Sequence, residues 1–202
     1  METDRIKLKT LGLSLAVILA IEWLATVLSG YGTAPILILG GARGIEIICL
    51  VMICRMAEPD GIRAVGIHLE RFKSGLFRGF LWSAGFGLVV VLAALILMLA
   101  GLRPVDMIAA NLPATQPGLV SFFVVGGIVS PVAEEIFFRG MLYGYLRRWG
   151  IWAAILISTA LFVMAHAIFH RIPLPQIVGG ILFAVAYEKE KNLMVPITIH
   201  VL

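Results

Sequence analysis

Five residues of this chain combine reactive types with a usable spacing: the adjacent acids Glu134 and Glu135, Arg139 four positions on, and the histidines His166 and His200. All five lie in predominantly apolar stretches. A charged side chain at the centre of a bilayer costs about 2.5 to 3.5 kcal/mol on insertion scales, so ionised groups inside apolar spans mark functional positions. Successive residues of a helix differ in direction by about 100°, whereas positions four apart share a face. Glu134 and Glu135 must therefore face different surroundings, and Glu135 stacks with Arg139. Glu135 and Arg139 are the expected supporting pair, and Glu134 is left to face the interior as a partly desolvated base.

His166 belongs to the next apolar span, with Phe162 four residues earlier on the same face as an aromatic anchor; His200 belongs to the last span. Counted along the helices from the basic ends, Glu134 lies about 20 Å from Arg147, His166 about 22 Å from Ile151 and His200 about 14 Å from Lys191, comparable depths for three groups on three spans. One carboxylate and two imidazoles at one depth suit attack of water on a carbonyl. Glu134 takes the water's proton, His166 orients the water, and His200 donates to the developing oxyanion. The expectation is a reaction without cofactor. A zinc site made of Glu134, His166, His170 and His200 is the competing reading, since His166 and His170 are four apart, but His170 adjoins Arg171 and Pro173 near the expected membrane edge and no His-Glu-x-x-His run is present.

The elements that must position these groups are transmembrane helices. The chain has 202 residues, of which 60% are hydrophobic and 14% charged, and its mean hydropathy of +1.01 lies far above that of a soluble domain, where roughly half of the residues are apolar. Apolar runs at residues 11–28, 36–53, 80–100, 119–148, 151–169 and 174–187 predict about six full spans. A final run at 193–200 predicts a short apolar helix, about 15 Å long and half of a hydrocarbon core. The fold class expected is all-α, a polytopic helical bundle forming a single integral-membrane domain over residues 1–202. Residues 118–202 form its motif-bearing core. Residues 1–117 supply the preceding spans and a polar, amphipathic segment from Arg55 to Arg78.

The first apolar run is longer than a signal-peptide core, and Pro35 would follow a cut after Ala34, so a retained first span is expected. Glu22 within it needs a polar partner, and Arg43 and Glu46 on the second span are spaced to pair. Cys49 and Cys54 have neither zinc nor disulfide spacing and read as small apolar residues. The net charge of +4 does not point to nucleic acid, because the basic residues are dispersed between spans with no aromatic-interleaved patch. A seven-span path puts Lys and Arg at 5, 7, 9, 55, 63, 71, 73, 78, 147, 148, 189 and 191 on one side and only Arg103 and Arg171 on the other, which predicts a cytoplasmic N-terminus.

Glu134-Glu135-x-x-x-Arg139-Gly140, then Phe162-x-x-x-His166, then His200, resembles the motif set of the CAAX prenyl protease and bacteriocin-processing family of intramembrane proteases, also called the Abi family. The match runs from about Gly118 to the end. The resemblance implies a glutamate-dependent intramembrane endopeptidase related to the enzyme that removes the last three residues of prenylated proteins. Glu134 would be the catalytic base, Glu135 and Arg139 its supports, His166 the water-positioning histidine and His200 an oxyanion-side histidine. The family usually has Asn or a similar residue four positions after the last histidine, which falls past Leu202, so that oxyanion partner is missing from this sequence.

The implied partners are the lipid bilayer and a membrane-associated peptide or lipidated protein as substrate, with no nucleic acid. The alternative reading is a non-catalytic membrane protein, an immunity or sequestering factor that holds a peptide in the same polar cavity.

Overall fold

The computed structural model describes residues 6–30, 35–104, 112–166 and 173–202. Among these residues there are seven helices and no strand: α1 Leu8–Ser29, α2 Pro35–Ala57, α3 Phe72–Leu99, α4 Gln116–Trp149, α5 Ile151–Ala165, α6 Leu174–Glu190 and α7 Met194–Val201. The first four are long and apolar enough to cross a membrane, and α5 is a shorter apolar helix. The expected polytopic bundle is therefore present, with each helix at the place of an apolar run. Large apolar side chains stay outside the protein core along these helices, as at Leu88, Val91 and Ile96 of α3 and Leu156 of α5. In water such a surface would be an aggregation hazard; in lipid it is the ordinary exterior of an integral membrane protein, while backbone polar groups are satisfied within the helices.

Two boundaries differ from the sequence reading. Between α2 and α3 the expected amphipathic segment is broken into short 3₁₀ turns at Gly61–Val65 and Leu69–Arg71, and α3 begins at Phe72, well before residue 80. Hydropathy finds where a helix enters lipid, whereas backbone hydrogen bonding carries the helix out past Lys73 and Arg78. At the other boundary α4 begins at Gln116 because the Thr115 hydroxyl accepts from the Gly118 N–H at 3.3 Å and Pro117 occupies the first turn.

Helix α4 is the hub, packing against α1, α2, α5, α6 and α7. Its core face carries Ile136, Phe138, Met141, Leu142, Tyr143 and Leu146, all buried. It is not a uniform α-helix, because wider π turns occupy Val125–Val129 and Ile136–Tyr143, on either side of the two acids. Turns of this kind are rare and concentrate at functional sites. Helix α3, by contrast, docks mainly on α7, and its buried residues are Gly75 and Gly79 near its start. A Cβ at Gly79 would come within 2.5 Å of the Thr198 side chain, so the missing side chain permits this close helix contact.

The basic connections meet at one end of the bundle. Arg147 forms a two-pronged contact with Glu188, at 2.9 Å for each nitrogen. Tyr143 donates to the same carboxylate at 2.7 Å, and Lys191 pairs with it at 2.6 Å. Arg148 donates to the Ile6 carbonyl at 2.8 Å, Lys7 to the Ala57 carbonyl at 3.0 Å, and Arg71 to the Glu190 carbonyl at 3.3 Å. The Leu193 N–H donates to Gly66 O at 2.9 Å. The seven-span path is thus closed by contacts among its connections on the Lys- and Arg-rich side.

Candidate active site

Glu135 and Arg139 form the pair expected from their spacing. Arg139 donates to Glu135 Oε1 at 2.9 Å, and both side chains are essentially inaccessible, at 0% and 1% exposure. A second guanidinium nitrogen donates to the Gly180 carbonyl at 3.3 Å. Gly180 is where α6 comes close to α5, since a Cβ there would lie 2.8 Å from Thr159. The guanidinium carbon lies 4.5 Å from the Phe162 ring centre and 5.1 Å from that of Phe183. Aromatic faces, a carboxylate and a carbonyl replace part of the hydration that a buried cation loses, while Arg139 Nε and Glu135 Oε2 have no hydrogen-bond partner among the described residues.

Glu134 points another way, into a partly open space beside both histidines. Its Oε2 lies 3.5 Å from His166 Nε2 and 3.9 Å from His200 Nε2. His166 caps the C-terminal end of α5, and its Nδ1 lies 2.8 Å from the Phe162 carbonyl. A carbonyl only accepts, so Nδ1 carries the hydrogen, and in the neutral ring Nε2 presents a lone pair. His200 Nδ1 lies 2.9 Å from Glu135 Oε1. That same oxygen accepts from Arg139, so His200 too carries its hydrogen on Nδ1. Both neutral imidazoles therefore aim lone pairs at a carboxylate. Three acceptors facing one small volume call for hydrogens supplied from outside: a water molecule, or a proton on one of the three groups.

Aromatic rings hold the imidazoles in place. Phe162 packs on His166 with ring centres 4.4 Å apart, the anchoring expected from their spacing. Phe183 stacks on His200 at 4.5 Å with 26° between planes. Phe183 and the Gly180 carbonyl were not legible as site residues: one Phe among 11 and one backbone oxygen carry no signal until α6 is folded against α4 and α7.

A second group of charges adjoins the site. Arg43 on α2 lies 3.0 Å from Glu22 Oε1 and 2.7 Å from Glu46 Oε2. The expected local pair is thus a three-member cluster that supplies Glu22 with its partner. Cys54 is buried and Cys49 half-buried, both free. Among the described residues no group of three or more His, Cys, Asp or Glu side chains is arranged as a metal site. His170, the fourth member of the zinc alternative, lies outside the described residues, as does Arg171.

Residues 116–202 hold Glu134, Glu135, Arg139, His166 and His200, and they match the sequence model of the family described as type II CAAX prenyl endopeptidase, Rce1-like. That match covers somewhat less than half of the chain and is a likeness of this region alone. Over 129 residues the chain is 27% identical to an uncharacterised 24.3 kDa protein of Escherichia coli, a match covering 60% of this chain and 59% of that one. Over 80 residues it is 35% identical to YdiL of Bacillus subtilis strain 168, named as a candidate membrane peptidase, covering 39% of this chain and 32% of the other. Over 88 residues it is 36% identical to the membrane-embedded CAAX protease MroQ of Staphylococcus aureus strain USA300, covering 40% and 34%. The chain spans between about a third and three-fifths of the length of these relatives. No solved structure matches it at comparable significance.

Proposed function

We propose that this protein is an intramembrane endopeptidase that hydrolyses a peptide bond in a membrane-associated or lipidated protein, using water activated by Glu134. The observation that carries the reading is the placement of the Glu134 carboxylate between the Nε2 atoms of His166 and His200, at 3.5 and 3.9 Å. The match of residues 116–202 to the Rce1-like CAAX prenyl endopeptidase family and the likeness to the CAAX protease MroQ support the same class of reaction.

In this mechanism a water molecule donates one hydrogen to Glu134 and the other to the lone pair of His166 Nε2. Glu134 removes the first proton as the oxygen attacks the scissile carbonyl carbon. The carbonyl oxygen takes up the electron pair and becomes an oxyanion. His200 in its imidazolium form, held through Nδ1–H by Glu135, donates from Nε2 to that oxyanion. Glu134 then passes its proton to the leaving nitrogen, the C–N bond breaks, and a carboxylic acid and an amine result. The role of the Glu135–Arg139 pair is to keep a negative charge behind His200. No metal takes part in this scheme. The N-terminus lies in the cytoplasm, on the side where the Lys- and Arg-rich connections gather.

The test is cleavage of lipidated and unlipidated CAAX-ended peptides by protein reconstituted in liposomes, followed by mass spectrometry. Turnover lost in Glu134→Gln and preserved after EDTA treatment is the expected result. Peptide bound but never cleaved by the unaltered protein would instead identify a sequestering factor, and loss of cleavage on chelation that zinc restores would replace the metal-free scheme.

A further inference from the structure

Away from the site, α3 and α6 enclose an apolar groove of about 430 Å³, lined by Leu81, Trp82, Gly85, Phe86 and Val89 of α3 and Leu182 of α6. That size lies within the range of about 300 to 1,000 Å³ usual for small-molecule sites. The groove exists for a reason legible in the packing. Helix α3 is buried at Gly75 and Gly79, against α7, and beyond that contact Gly85 opens onto space, with nothing within 4 Å of where a Cβ would stand.

One end of the groove is charged. Lys189 Nζ lies 5.5 Å from the centre of the Trp82 ring, and the Trp82 Nε1–H donates to Glu190 at 3.1 Å. Arg78, one turn before Trp82 and more than half exposed, pairs with the other oxygen of Glu190. The mouth thus holds two cations and one carboxylate, and that carboxylate is already engaged by Arg78 and Trp82. An apolar trough capped by one net positive charge, at the end of the bundle where the basic connections meet, complements a hydrocarbon chain with a single negative charge at its head.

We propose that this groove binds one acyl chain of an anionic phospholipid, with the phosphate met by Lys189 and Arg78. The site is separate from Glu134 and does not depend on catalysis. Helix α6 joins the two regions, because Leu182 lining the groove is followed by Phe183, which stacks on His200.

Trp82 is itself the probe. The chain has four tryptophans, and Trp23, Trp149 and Trp152 are exposed, so Trp23→Phe, Trp149→Phe and Trp152→Phe together leave Trp82 as the single reporter. The protein is placed in phosphatidylcholine nanodiscs containing increasing fractions of phosphatidylglycerol brominated on its acyl chains, and in parallel of brominated phosphatidylcholine. The expected result is quenching at a lower mole fraction of the anionic lipid. Lys189→Gln should weaken that preference roughly fivefold, the usual effect of one basic group at a membrane surface. Gly85→Leu, at a groove-lining position where an added Cβ meets nothing within 4 Å, should reduce quenching by the anionic lipid and leave Lys189 in place. Equal quenching by the two lipids, or no change in either variant, means ordinary bilayer contact and overturns the proposal. Relief of quenching by an uncharged isoprenoid alcohol at equal mole fraction overturns it in favour of an isoprenoid site.

Discussion

His200 Nδ1 lies 2.9 Å from the Glu135 oxygen that also receives Arg139. Glu135 is thus the bridge through which the buried cation and the histidine of the final helix are joined, and the ring orientation that aims His200 Nε2 at Glu134 follows from it. A residue that never touches the reacting atoms sets the geometry of one that would.

Replacing Glu134 by Gln keeps its shape and removes its basicity. On the proposed mechanism turnover falls by about 100 to 10,000-fold, the usual contribution of a positioned general base, with thermal stability in detergent nearly unchanged. A Glu134→Gln protein that cleaves at the unaltered rate would falsify the mechanism.

Glu135→Gln should be more damaging to the fold than to any single chemical step. It strips the fully buried Arg139 of its counter-ion, and removing one partner of a buried pair costs about 3 to 5 kcal/mol. Denaturant melts in micelles measure this, and a stability within experimental error of the unaltered protein is the contrary outcome.

His200→Asn tests the oxyanion side. Loss of such a donor lowers kcat by about 100 to 1,000-fold; because the substrate's ground state does not require that contact, KM should change little. A change confined to KM assigns His200 to substrate binding instead.

Gly79→Leu drives a side chain into Thr198, whose nearest atom lies 2.5 Å from the site of a Cβ. Overpacking of this kind costs about 1 to 3 kcal/mol. The strain falls on α7, two residues before His200, so activity should drop along with stability, whereas Gly85→Leu on the same helix leaves both intact. Parallel melts and rates for the two variants make the comparison.

Acid sensitivity should arise at Glu188, beyond the apolar span of α6. Burial raises its carboxyl pKa, but hydrogen bonds from Arg147, Lys191 and Tyr143 outweigh burial and hold it down to about 2. A carboxyl depressed by folding contributes stability that is fully present above its unfolded pKa of about 4.5 and is lost as pH falls toward the folded value. Glu188→Gln should therefore be less stable at neutral pH, and the gap should narrow between about pH 4.5 and 2. A gap that does not vary with pH there would show that the carboxylate charge is not what stabilises this corner.

The sequence by itself determined the all-helical membrane class, the places of the seven helices and the pairing of Glu135 with Arg139. These are properties of one-dimensional spacing: apolar length matched to bilayer thickness, and four residues for nearly one helical turn. It also marked His166 and His200, since imidazoles in apolar spans are costly enough to stand out, and Glu22, Arg43 and Glu46 for the same reason. What only the tertiary structure decided was the company these groups keep. The stacking of Phe183 on His200, the Gly180 carbonyl on Arg139 and the Nδ1–H that commits each imidazole arise between helices far apart in sequence, from residues too common to carry a signal. The groove that Gly85 leaves open comes from how α3 packs against its neighbours, and neither it nor the π turns around Glu134 and Glu135 have a counterpart in a hydropathy pattern.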